Sequence, residues 1–277
     1  MSKVIGPEDY LEPACLLCGD PMGTEAPMRP IPQQRIIEKM DEYMSRRDYA
    51  GAERHLRYWL AEATECRDKR GELMVRGELI GHYRKTSERE KALREIDAAL
   101  ALVRELDYGD TISAGTTYVN CATALSSFGE NERALELFRL AQPLYEKSAA
   151  TRAELLGGLY NNMALCLAAL SRFDEAHAYY DKAMEAMSKV EGGSLEQAIT
   201  CLNRANLVEN EVGMEAGEAR IFDLVDEAWE KLDSFSGPLD GYYAFVCEKC
   251  APTFGYYGYF AAAEELKNRA EKIYDRT

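Results

Sequence analysis

Residues 159–187 read LYNNMALCLAALSRFDEAHAYYDKAMEAM, and residues 117–144 read TYVNCATALSSFGENERALELFRLAQPL. Laid over each other, Tyr118 meets Tyr160, Ala122 meets Ala164 and Leu125 meets Leu167. Beyond a short turn, Ala134 meets Ala176, Phe138 meets Tyr180 and Ala141 meets Ala183, every pair 42 residues apart. Within each stretch apolar residues recur at three- and four-residue intervals, the spacing of two amphipathic helices joined by a turn. Small residues let the paired helices approach closely, and the aromatic residues fill the spaces between. The turns carry Gly129 or the polar pair Ser171-Arg172, where the chain must reverse.

The pattern extends both ways. Ala92, Ile96 and Ala99 repeat its second half upstream, as do Ala52 and Leu56 earlier still, although Trp59 stands where a small residue is expected. Downstream, Asn203, Ala205 and Val208 open a fifth unit, and Ala228 lies in its second helix after a turn lengthened around VGMEAGEA (212–219). Cys247, Cys250, Ala251 and Phe254 open a sixth, which Gly258, Phe260, Ala263 and Ala270 close. Atypical end units are usual in repeat arrays, since one face of each lacks a neighbour.

Aromatic, small and apolar residues at these fixed places resemble the tetratricopeptide repeat (TPR) family. The spacing near 42 is similar to the long repeats of kinesin light chains and of bacterial peptide-sensing regulators. The resemblance implies an all-α, right-handed α-solenoid of about six TPR-like helical hairpins over residues 32–277. An irregular N-terminal arm, residues 1–31, precedes it. It also implies a concave groove lined by the first helix of each pair, able to bind a protein or an extended peptide segment. Asn120, Asn162 and Asn203 each stand two residues before a small alanine, with Asn161 beside Asn162 and Asn206 one turn beyond Asn203. A carboxamide both donates and accepts, so it can pair with peptide backbone of any sequence. In long-repeat relatives asparagines at matching positions hold extended peptides. The other reading is that these asparagines tie neighbouring helices together. In TFGYYGYF (253–260), Tyr256 has the helical phase to face the groove, while its neighbours belong to the corner of the repeat. The lysine-containing clamp with which some TPR domains hold carboxylate termini is missing, for Val119, Asn161 and Leu202 stand in its places.

Charge narrows the partners. The formal net charge of −15, from 48 acidic against 33 basic residues, repels nucleic acid and anionic lipid, leaving basic or neutral peptides. No apolar run reaches the ~18 residues that cross a bilayer, and the start carries no signal-peptide pattern. A cytoplasmic protein is expected, in which the eight cysteines are free thiols or metal ligands. Cys15-Leu-Leu-Cys18-Gly is a turn that can chelate zinc, and Cys247-Glu-Lys-Cys250 is the only other pair of that spacing. A four-cysteine site would draw the arm along the groove as the protein's own ligand. The bland reading keeps Cys247 and Cys250 as core residues. His55, His82 and His177 fall in separate repeats on polar stretches and read as surface residues. Neither HExxH nor a phosphate loop occurs, so no catalytic residue and no cofactor is assigned, zinc apart. The expected function is a non-catalytic scaffold. A metal- or thiol-dependent sensor and a self-assembling scaffold are the alternatives, and oligomeric state is left open.

Overall fold

The computed structural model describes residues 29–46, 48–148 and 151–275. Within them the chain forms twelve α-helices and no strand, paired in sequence as six hairpins. The helices group into two compact units that divide between Ser148 and Ala149. The first holds α1 (Gln33–Ser45), α2 (Tyr49–Glu65), α3 (Lys69–Lys85), α4 (Arg89–Glu105), α5 (Ile112–Ser127) and α6 (Asn131–Lys147). The second holds α7 (Ala153–Ala169), α8 (Phe173–Met187), α9 (Ser194–Val212), α10 (Met214–Asp233), α11 (Gly241–Tyr256) and α12 (Phe260–Tyr274).

The alanines at matched positions are the contact points of the hairpins. Ala122 with Ala134, and Ala164 with Ala176, are completely buried. Phe138 and Tyr180 lie buried beside them. Trp59, the expected misfit, is half-buried against the core of the first hairpins, edge-on to His55 at 6.4 Å. Ile31 is buried in the same core, and its backbone N–H donates to Asp68 Oδ2 at 2.8 Å. The other oxygen of that carboxylate accepts from the Gly71 N–H at 3.0 Å and caps α3.

One backbone conformation recurs with the sequence period. Ser87, Gly129, Ser171 and Gly213 all have positive φ, each 42 residues after the last. At the first three, the next residue's N–H reaches back to the carbonyl five residues earlier: Glu88 to Tyr83, Glu130 to Leu125 and Arg172 to Leu167, at 2.8–3.0 Å. This is the bond that closes a helix through a left-handed residue. Gly213 departs from its predecessors. The expected long turn around it is absent, and Gly213 alone separates α9 from α10, with φ 83° and ψ 163°. The sequence VGMEAGEA misleads because its second glycine looks like another turn. Gly217 instead lies inside α10, where a Cβ would stand 2.8 Å from Val208 Cγ1. It permits a close helix crossing.

Candidate functional site

In each unit the first helices of successive hairpins form a layer: α3 touches α5, and α7 touches α9, which touches α11. The candidate site is the layer α7–α9–α11. Helical spacing puts Gly158, Asn161, Asn162 and Leu165 on one face of α7, and Glu196, Thr200 and Asn203 on one face of α9. Tyr242, Phe245, Lys249 and Tyr256 follow the same spacing along α11.

Carboxamides tie the layer together. Asn203 Nδ2 donates to Asn161 Oδ1 at 3.1 Å, and Thr200 Oγ1 donates to the same oxygen at 3.4 Å. Among the described residues this leaves the Asn161 amide group and the Asn203 carbonyl oxygen without a protein partner, one donor group beside one acceptor. Asn203 therefore meets Asn161 rather than Asn162, which is half-buried one residue along α7. The Tyr257 hydroxyl shares its one proton between Asn206 Oδ1 at 2.8 Å and Glu209 at 2.9 Å, and Glu209 also accepts from Tyr256 at 2.6 Å. Tyr256 is two-thirds exposed nonetheless. Asn120 lies in the other unit, half-buried on α5, its Nδ2 3.9 Å from where a Cβ on Gly77 of α3 would stand.

On α11 the layer turns aromatic. The Phe245 ring stacks on Tyr242 at 6.3 Å, with the Lys249 ammonium 5.9 Å from its centre. Tyr242 donates to Glu196 across the α9–α11 contact. Burial there raises the Glu196 carboxyl above its ordinary range, against the opposing pull of Lys249. Leu165 and Phe245 are both about 40% exposed.

The cysteines behave differently. Cys247 and Cys250 sit fully buried in the core between α9, α11 and α12. Burial pushes the Cys250 thiol up to about 12 and raises that of Cys247, so both stay protonated at neutral pH. Cys15 and Cys18 lie outside the described residues. The expectation of three surface histidines needs correcting. His82 is buried in the last turn of α3, only 4% exposed, with the ring of Tyr49 6.4 Å away. Its polar neighbours in GHYRK concealed this, because a helix end turned toward the preceding hairpin buries one residue of a polar run.

No family model matches the chain, and no curated protein sequence matches it. Solved structures do. A Podosopora anserina kinesin light chain candidate with nearly identical TPR-like repeats aligns at TM-score 0.50 and 14% identity, covering 74% of this chain and 95% of that one. A point variant of the same fungal protein aligns at TM-score 0.51 over the same shares. BtubC (BKLC) from P. vanneervenii aligns at TM-score 0.49 and 19% identity, over 89% of this chain and 92% of that one. No helix among the described residues is long and apolar enough to cross a membrane. With six paired hairpins, a 42-residue period in sequence and backbone, and the two kinesin light chain alignments, the chain has the TPR-like helical-repeat fold.

Proposed function

We propose that this protein is a non-catalytic interaction scaffold that holds an extended peptide segment against the α7–α9–α11 layer. The observation that carries this reading is the Asn161–Asn203 pair, which keeps one donor group and one acceptor spare. That is the complement of a peptide backbone, which offers one N–H and one C=O per residue. Leu165, Phe245 and Tyr256 offer apolar and aromatic surface for the segment's side chains. The overall charge of −15 favours basic or neutral segments. Asn120, Asn162 and Asn206 are secondary positions in this reading. Cys247 and Cys250, as protonated core thiols, take no part in it.

The test is selection of binders from a random peptide library displayed on phage, followed by calorimetry of a selected peptide on the full chain. An Asn161→Ala, Asn203→Ala variant should bind about 10-fold more weakly, the worth of one or two hydrogen bonds, with its helical circular dichroism intact. Phe245→Ala should weaken binding as well. A selected peptide that binds parent and both variants equally would defeat the proposal.

A further inference from the structure

Far from the α7–α9–α11 layer in sequence, the first two hairpins bring together Glu53 of α2, His82 of α3 and Glu88 of the turn before α4. One ligand atom from each, a carboxylate oxygen or a ring nitrogen, lies within 4.8 Å of the others. The fold assembles them from three consecutive segments. Left-handed Ser87 reverses the chain and returns Glu88 over the last turn of α3, where His82 stands. Across the α2–α3 contact, Tyr83 donates its hydroxyl to Glu53 Oε1 at 3.0 Å.

Lys91 accounts for the two carboxylates. Its ammonium lies 2.8 Å from Glu53 Oε1 and also pairs with Glu88, which accepts from Thr86 Oγ1 at 3.2 Å. Arg57 approaches Glu53 only to 3.7 Å. Lys91 does not account for His82. That ring is buried, yet its Nδ1 has no hydrogen-bond partner, and a buried polar atom left unmatched calls for a reason. A lysine supplies only donors and could satisfy just an unprotonated ring nitrogen, but it bonds to the carboxylates instead.

We propose that Glu53, His82 and Glu88 form a binding site for a divalent transition-metal ion, and that Lys91 holds the two carboxylates when the ion is absent. Two carboxylates balance the charge of a divalent ion, and a nitrogen donor among oxygens favours a borderline metal such as zinc, cobalt or nickel over magnesium. Around a four-coordinate ion, bonds of about 2.0–2.2 Å set ligand atoms ~3.3–3.6 Å apart, so the three side chains must draw together from spacings of up to 4.8 Å. Three protein ligands leave a coordination position open to water or to a carboxylate from a partner. The displaced Lys91 keeps a resting place beside the Tyr83 ring, whose centre its nitrogen already approaches to 5.2 Å.

Cobalt(II) is the probe, since its absorption distinguishes this site from the cysteines. The chelator-stripped full chain should take up one equivalent with weak visible d–d bands and without the intense near-ultraviolet charge-transfer band of thiolate ligation. His82→Gln and Glu88→Gln should each weaken uptake at least about 10-fold, whereas Lys91→Met should tighten it. Glu88 makes no side-chain cap to α4, so its variant carries the test should the His82 variant fail to fold. No d–d bands at millimolar cobalt, a thiolate spectrum alone, or uptake indifferent to Glu88→Gln would each overturn the proposal.

Discussion

Glu196 carries the sharpest consequence at the level of single residues. Its carboxyl is raised above the ordinary range by burial, so the folded chain holds that proton to higher pH than the unfolded chain does. The stability this supplies is complete below the unfolded value of about 4.3 and is lost as pH rises through the folded value. Glu196→Gln keeps an acceptor for Tyr242 while removing the charge. It should raise stability at pH 7 by about 0.5–1 kcal/mol, an advantage in Tm that is absent below about pH 4 and grows as pH rises through the acid range. An unchanged profile would place the carboxylate in solvent. Residue chemistry was only partly legible in the sequence. Asparagines on the first helices stood out, but the choice of Asn161 over Asn162 as the partner of Asn203 depends on the rotation of two helices about their axes. No repeat alignment resolves a single step of that kind. His82 was hidden for a related reason, since burial at a helix end depends on what packs across it.

Among the elements, the turns are the informative ones. Four positions with the same 42-residue period demand positive φ, yet two of them are serine. For L-residues that conformation costs roughly 1–2 kcal/mol, partly offset by the extra chain entropy glycine loses on folding. Ser171→Gly should therefore stabilise by about 0.5 kcal/mol, and Gly129→Ala should destabilise by about 1 kcal/mol. Gly213 is the extreme case, because its φ and ψ lie in a region that is essentially closed to other residues. Nothing lies within 4 Å of where its Cβ would be, so the penalty for Gly213→Ala comes from backbone alone. About 1–3 kcal/mol is expected, measured by urea unfolding, and a neutral result would mean that α9 and α10 can rejoin by another route. The helices themselves were legible throughout. Their alternation of small and bulky residues is a packing requirement, and packing is what recurs from repeat to repeat. The α9–α10 connection was not, because a glycine at a close helix crossing and a glycine at a turn look alike in one dimension.

For the whole molecule, the division between Ser148 and Ala149 gives each unit three hairpins, about the least that buries a continuous repeat core. The second unit closes around Leu195, Val225, Phe254 and Leu266. A fragment of residues 149–277 should keep its helical signal and unfold cooperatively in urea. Removing α11 and α12 as well should strip Phe254 and Arg269 from Trp229 and abolish that transition. Non-cooperative melting of the longer fragment would mean that this unit needs the rest of the chain. In the first unit, Asp68 uses one oxygen to start α3 and the other to hold the Ile31 amide. An amide that stands outside any helix, just ahead of α1, is thereby given the standing of a helix interior. Its deuterium uptake should lag like that of a core residue, and whatever frees it should also unseat the beginning of the third helix.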